Sequence, residues 1–245
     1  YGGSFGGGQR PVGSRSSPDD FANKLNKRIL PRFFNVADNP TCEQLGDTAV
    51  MGHFAYDDEG VPARPVTLVE GGRLTALLMS RNPSKEFHHS TGHGRGSLVG
   101  SRGAVGCLLV TADPGLSGEE LKKELLDACA DEGLDFGLRI AGLGSVGEGG
   151  GRGGDAGGNP LVMYKVFADG HEELVRGAEI AKIDLKTFKR ILAAGQEPFV
   201  LNTGGGGTEG QTVAAPAMLF EELDLAKIDR DFDKPPILPT PLARE

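Results

Sequence analysis

The chain has 245 residues, of which 38% are hydrophobic, and it carries a formal net charge of −8 at pH 7. This length allows one large β-rich domain or two small ones. The acidic balance argues against nucleic acid as a partner, because binding to phosphates needs clustered Lys and Arg. No apolar run approaches the roughly 18 residues that cross a bilayer, which argues against an integral membrane protein.

The first twenty residues are rich in Gly, Ser, Arg and Pro and predict a flexible tail or linker over 1–20. They lack the apolar core of a signal peptide. The chain does not begin with Met, so we expect a fragment of a longer protein. Two of the three cysteines, Cys42, Cys107 and Cys129, lie in apolar runs, and we interpret them as small core residues in a reducing, cytoplasmic compartment.

The first third of the chain predicts short strands joined by tight turns. The predicted strands cover residues 32–37, 51–56, 64–69 and 74–79. Gly71-Gly72 separates the last two and is a hairpin signal. The acidic residues at 57–59 lack the alternating spacing of a Ca²⁺-binding loop, so we interpret them as a solvated turn.

Residues 80–96 form the most distinctive stretch of the sequence. They include His88, His89, His93 and Arg95 but almost no apolar side chain. Pro83 and three glycines disfavour a helix or strand. The stretch therefore predicts a long exposed loop between two strands, and long loops in compact domains are often functional.

A strand is predicted over 104–111, followed by the clearest helix in the sequence. Ser117 and Glu120 have the spacing of a capping box, and Gly133 is a helix stop. After a strand at 136–141, residues 142–147 spell G-x-G-x-x-G. A dinucleotide site needs a helix to begin there, but the glycines that follow disfavour one. We therefore predict a glycine-rich loop over 144–158.

The last third of the chain alternates strand signals with glycine and proline signals. Strands are predicted at 161–168, 172–175 and 199–202. Asp184 is predicted to cap a short helix that includes Ile191. A second glycine-rich loop at 204–210, a segment at 213–225 that contains the apolar run AAPAMLF, and an extended tail at 228–245 follow. Together the elements predict an α+β, mainly β domain over 21–245. It would be an antiparallel, hairpin-rich sheet or barrel-like domain with two or three short helices.

Four side chains in the loop at 80–96 raise the question of metal binding. Glu86, His88, His89 and His93 could supply three or four ligands. The glycines exclude the helix on which two histidines four residues apart bind zinc in peptidases. We expect no metal site in this chain and keep these four residues as a weaker alternative. The preferred interpretation is a polar loop that contacts a substrate or a partner.

Several segments, taken in order, resemble the C-terminal half of the TldD/PmbA metallopeptidases, also called modulators of DNA gyrase. Ser90-Thr91-Gly92-His93-Gly94-Arg95 resembles that family's S-[NT]-G-[NH]-G-R loop. The hairpin block before it, the strand–turn–strand that ends in Arg176-Gly177, and the terminal segment from Gly210-Gln211 resemble three further family segments.

The resemblance implies a cytoplasmic domain that joins an N-terminal α/β domain and forms homodimers or heterodimers. Active relatives use a bound metal, zinc or iron in the full-length protein, to cut extended peptides. That metal is held by H-E-x-x-x-H in the upstream half and by a Cys near the terminal Gly-Gln. This chain contains no H-E-x-x-x-H, and residues 204–209 contain no Cys. We therefore expect no cofactor in this chain and little activity from it alone.

The leading hypothesis is the C-terminal domain of such a peptidase, which contributes cleft walls and dimer contacts. His89, His93 and Arg95 would then bind the substrate. A non-catalytic partner subunit is the alternative, and the absent cysteine favours it. A third hypothesis, a metal enzyme built on the loop histidines alone, predicts that this chain binds metal without a partner.

Overall fold

The computed structural model describes residues 6–7, 21–83, 87–97, 100–148, 156–205 and 208–227. The first half of the chain contains a 3-10 helix at Phe21–Lys24 and ten strands: β1 Gly6–Gly7, β2 Phe34–Asp38, β3 Gln44–Leu45, β4 Thr48–Ala49, β5 Val66–Glu70, β6 Arg73–Leu74, β7 Leu78–Met79, β8 Gly94–Ser97, β9 Gly100–Gly103 and β10 Cys107–Ala112. The second half contains α1 Gly118–Asp131, β11 Phe136–Glu148, β12 Ala156–Phe167, β13 Glu172–Val175, β14 Ala178–Ile183, α2 Leu185–Lys189, β15 Ile191–Gly205, β16 Thr208–Phe220 and β17 Asp224–Lys227.

Two sheets dominate the fold. The larger sheet has the strand order β15-β16-β10-β2-β5-β6, and the smaller has the order β11-β12-β14-β17 with β13 also paired to β12. Most neighbours are antiparallel, while β10 pairs with β16 in parallel. The prediction of a mainly β, α+β domain is confirmed. The barrel-like variant is not: neither sheet closes on itself within the described ranges.

Apolar residues of the central strands form the core. β2 alternates buried and half-buried residues, and Phe34 and Val36 of β2 pack in two adjoining clusters. Leu68, Leu74 and Leu78 are completely buried in the cluster that contains Val36. No helix in the described part of the chain is long and apolar enough to cross a membrane.

Both predicted helix caps are present. Ser117 accepts a hydrogen bond from the backbone N–H of Glu120, whose carboxylate in turn accepts one from the Ser117 N–H. Gly133, at φ +68°, ends α1 as predicted. Asp184 caps α2, but this helix ends at Lys189. The predicted helix residue Ile191 instead begins β15 and is buried there, since tertiary pairing outweighs local helix propensity.

The described parts of the two glycine-rich segments form strands instead of the predicted loops. Residues 144–148 continue β11, residues 156–158 begin β12, and residues 204–205 and 208–210 belong to β15 and β16. Glycine has both a backbone N–H and a backbone C=O, so it can form the hydrogen bonds of a sheet when a neighbouring strand pairs with it in a fixed register. The strand runs on past 142–147, so the helix that a dinucleotide site needs at the third glycine does not begin there.

Other predicted segments are shorter than the sequence indicated or lie outside the described residues. Residues 51–56 form turns instead of a strand, and the predicted strand 74–79 is divided between β6 and β7. Within the predicted tail 1–20, Gly6 and Gly7 pair in parallel with β7. The rest of that segment, the centre of the first glycine-rich segment and the tail 228–245 lie outside the described residues.

Candidate functional site

The most enclosed polar cluster lies where β2 ends and β8 begins. Asp38, the last residue of β2, and His93, immediately before β8, are both completely buried. His93 Nε2 is 3.2 Å from Asp38 Oδ1. The Asp38 carboxylate also accepts hydrogen bonds from the backbone N–H groups of Gly106 at 3.2 Å and Cys107 at 3.3 Å. Asp38 therefore links three segments that are distant in sequence.

The second nitrogen of the His93 ring also has polar partners. His93 Nδ1 lies 3.0 Å from both the carbonyl oxygen and the hydroxyl of Thr91. Thr91 is itself fixed to β7, because its hydroxyl accepts from the Met79 N–H at 2.8 Å. Phe54 meets the imidazole edge-to-face at a centroid distance of 6.3 Å. With both ring nitrogens engaged and no exposed surface, His93 positions the loop around it.

The acidic residues 57–59 hold the same loop from outside. Asp57, only 5% exposed, accepts hydrogen bonds from the N–H groups of Glu59, Val61 and Gly94 at 3.0, 2.8 and 2.8 Å. Asp58 accepts from the Gly96 N–H at 2.9 Å. The interpretation of a merely solvated turn is therefore wrong. Carboxylates that accept several N–H groups fix a backbone strongly, and these two order residues 94–96.

Glu59 extends this clamp to the neighbouring segments. Its carboxylate accepts hydrogen bonds from the Arg81 N–H at 2.5 Å and from the Ser101 hydroxyl. The three acidic side chains together thus tie the start of the histidine loop, β8 and β9 to one turn.

Arg95 contacts both an aromatic ring and a carboxylate beside the loop. Its guanidinium carbon lies 4.5 Å from the centroid of the Phe54 ring, and its Nε lies 3.6 Å from Asp58 Oδ2. A cation over an aromatic face gains electrostatic attraction. The Arg95 side chain is 14% exposed, so the ring and the carboxylate hold it beside the surface in one orientation.

The predicted histidine loop is exposed only in its first part. His88 and His89 are exposed, whereas residues 92–94 are buried, which corrects the prediction that the whole loop faces solvent. The hydrogen bonds of Thr91 and His93 cause the difference. Glu86 lies outside the described residues. Among the residues that are described, no three His, Cys, Asp or Glu side chains gather as a metal site would require.

The terminal Gly210-Gln211 segment reaches the same region through the parallel pairing of β10 and β16. Cys107 is the register partner of Thr212, and the Thr212 N–H donates to the Gly106 carbonyl at 2.8 Å. The buried Thr212 hydroxyl donates to Asn202 Oδ1 at 2.6 Å. The location of this segment beside the loop could not be read from the sequence, which separates the two by more than a hundred residues.

Cys107 is the cysteine that the sheet brings next to this segment. Burial above all, together with the nearby Cys42 thiol and Asp38 carboxylate, raises the pKa of the Cys107 thiol to about 12. A thiol in this environment remains protonated at neutral pH. Cys107 belongs to no group of three His, Cys, Asp or Glu side chains among the described residues, so it is not part of a metal centre there.

Comparison with known proteins identifies the family of this chain. The sequence profile of the PmbA/TldA metallopeptidase C-terminal domain matches residues 12–227. The chain belongs to this family. Two archaeal proteins named metalloprotease are both 26% identical to it. The one from Methanothermobacter thermautotrophicus aligns over 191 residues and the one from Archaeoglobus fulgidus over 161, which is 78% and 65% of this chain.

Solved structures support the same fold. A Thermotoga maritima protein described as a candidate modulator of a DNA gyrase has a TM-score of 0.62 at 23% identity and covers 86% of this chain. TldE from Thermococcus kodakarensis has a TM-score of 0.57 at 17% identity and covers 84%. The chain spans 38% and 32% of the two archaeal relatives and 42% of each of these two solved chains.

Proposed function

We propose that this PmbA/TldA-type domain forms the C-terminal part of a metallopeptidase, where it contributes cleft walls and subunit contacts for the cleavage of extended peptides. The family match over residues 12–227 carries this proposal. The metal centre is supplied by an H-E-x-x-x-H segment outside this chain. The name metalloprotease borne by two relatives supports the reaction class.

The described residues form no metal site, and in the proposal the role of this domain is to hold and orient the peptide. The Asp38–His93 pair and the Asp57 carboxylate fix the backbone at residues 91–96. This support leaves His89 exposed at one end of the loop and holds Arg95 near the surface at the other. In the proposal, Arg95 binds a carbonyl or carboxylate of the peptide, while His93 acts indirectly as a positioning residue.

An open sheet edge offers a second element of peptide recognition. β15 is the terminal strand of the large sheet, and its outer side is bridged at Gly195 by Leu116. Residues 197–205 pair only with β16 among the described strands. Phe199 and Leu201 are 73% and 61% exposed on one face of this strand. An added peptide or partner strand would gain backbone hydrogen bonds there without a strict sequence requirement.

Substitutions in the full-length protein test this role. We expect Arg95→Ala and His89→Ala to lower kcat/KM for an unstructured peptide about tenfold or more, since a charge-assisted contact contributes about 1.5–3 kcal/mol. Arg102→Ala is the matched control for Arg95, because Arg102 is its register partner on β9. His171→Ala, which changes another exposed histidine in the turn between β12 and β13, is the control for His89.

Equal activity of Arg95→Ala, His89→Ala and their controls would contradict the proposed substrate contacts. Absence of metal-dependent peptide cleavage by the full-length protein, alone and with its partner subunit, would contradict the proposed reaction.

A non-catalytic partner subunit is the second candidate. The lack of a cysteine in residues 204–209, next to Gly210-Gln211, favours it. In that case the domain shapes the cleft of an active partner, and activity appears only after the two are mixed. Chelation followed by re-metallation of each subunit separately identifies the one that holds the metal.

A further inference from the structure

Two of the three cysteines are brought together by the end of β2. The Asn39 N–H donates to the Cys107 carbonyl at 2.8 Å, and the Cys42 N–H donates to the Asn39 carbonyl at 3.2 Å. The turn that carries Cys42 is thus attached directly to the strand that carries Cys107. The side chain and N–H of Thr41 both bond to Asn39 Oδ1, at 2.7 and 3.2 Å, and so fix the turn.

The two thiols differ in their access to solvent. Cys107 is completely buried, while Cys42 is partly exposed and its thiol donates to the Gln44 carbonyl at 3.0 Å. Burial is the main cause of the raised pKa of Cys107, and the neighbouring Cys42 thiol adds to it. Cys129 lies on α1, far along the chain, and is buried. The thiol of Cys42 is therefore accessible to solvent, and the thiol of Cys107 is sheltered from it.

We propose that Cys42 and Cys107 form an oxidation-sensitive dithiol, in which Cys42 reacts first with a peroxide and Cys107 then closes a disulfide. Accessible cysteines with a neighbouring second thiol are the usual pattern of such sites. The structure further indicates that burial protects Cys107 from direct attack by the oxidant. This inference does not depend on the proposed peptidase role.

The reaction proceeds in two balanced steps. The Cys42 thiolate attacks one peroxide oxygen, so that an S–O bond forms, the O–O bond breaks, and hydroxide leaves and takes up a proton to become water. The Cys107 sulfur then attacks the Cys42 sulfenic sulfur, so that an S–S bond forms and the S–O bond breaks. The departing hydroxide takes the Cys107 proton. The two sulfurs together lose two electrons, and hydrogen peroxide is reduced to two waters.

The test uses the purified, fully reduced chain. It is treated with a small excess of hydrogen peroxide, blocked with N-ethylmaleimide under denaturing conditions and analysed by intact mass and peptide mapping. We expect two of the three thiols to escape alkylation, a mass lower by about 2 Da before alkylation, and a linked peptide pair that contains Cys42 and Cys107. Cys129→Ser, the matched control, should behave like the natural sequence.

The cysteine variants separate the two steps. Cys42→Ser should abolish the bridge, and Cys107→Ala should stop at a sulfenic acid on Cys42 that dimedone traps. A bridge that involves Cys129, or oxidation of Cys42 to higher acids in the natural sequence without any bridge, would overturn the proposal. The result for the natural sequence decides the matter even if Cys107→Ala fails to fold.

Discussion

A double-mutant cycle on Asp38 and His93 tests whether their buried contact holds the loop in place. Asp38→Ala removes the carboxylate that faces His93, Gly106 and Cys107, and His93→Ala removes the ring that faces Asp38 and Thr91. Each single change leaves a buried polar group without its partner. The double change removes the Asp38–His93 contact from both sides.

The magnitude follows from the complete burial of both side chains. A buried polar group left without its hydrogen-bond partner costs about 1–3 kcal/mol, and Asp38→Ala leaves three such groups, which together cost about 4 kcal/mol. This is a large part of the roughly 5–15 kcal/mol by which a domain is stable. The double variant should be more stable than the sum of the single losses implies, by about 1–3 kcal/mol, because neither group is then left facing a missing partner.

Urea unfolding followed by circular dichroism measures the four species. With a denaturant slope of about 2 kcal/mol per molar, a loss of about 4 kcal/mol lowers the midpoint by about 2 M. Asp169 and His171 supply a matched control, since their Oδ1 and Nδ1 lie 2.6 Å apart but both side chains are more than half exposed. Their coupling should be far smaller than that of the buried pair. Strictly additive losses at Asp38 and His93 would refute the reasoning.

Three further outcomes are expected. Gly92→Ala should lower the urea midpoint far more than Gly133→Ala does. Both glycines have a positive φ, but only at Gly92 would an added Cβ collide with the Pro62 backbone. Equal shifts of the midpoint would contradict this. Ser117→Ala should cost about 1 kcal/mol by loss of the α1 cap, and thermal unfolding that remains unchanged would argue against it. The hydrogen bond to Asp169 raises the pKa of His171 above its ordinary value. The hydrogen bond therefore stabilises the folded protein fully below the pKa that His171 has in the unfolded state. This stabilisation is lost as the pH rises through the pKa of His171 in the folded state. An NMR titration should therefore show a lower His171 midpoint in Asp169→Asn.

The local parts of the fold were predictable from the sequence because their causes are local. The capping box at Ser117 and the stop at Gly133 involve residues within one or two helical turns. The strand at 172–175 was predicted with its observed bounds, since an Asp-Gly turn marks its start. By contrast, the strands through the glycine-rich segments depend on pairing with β12 and β16, which a local reading of glycine cannot reveal.

The site was predictable only in part for a similar reason. The sequence singled out the loop of His88, His89 and His93, but it could not show that only the first two are exposed. The partner of His93 is Asp38, 55 residues away. Asp57 was interpreted as a solvent-facing residue because the hydrogen bond that its carboxylate accepts from the Gly94 N–H exists only after β8 is in place. The one sequence signal that would have indicated Asp38 is its position as the acidic residue directly after the predicted strand 32–37.

The measurement that tests the central claim most directly is the metal content of the purified chain. Elemental analysis after incubation with zinc or iron is compared with a His88→Ala/His89→Ala double variant, and with His93→Gln separately because His93 is buried. The proposed role, a peptidase domain whose metal is supplied from outside this chain, predicts less than stoichiometric metal in all three. One metal per chain, lost in the double variant, would contradict it and make the histidine loop a metal site.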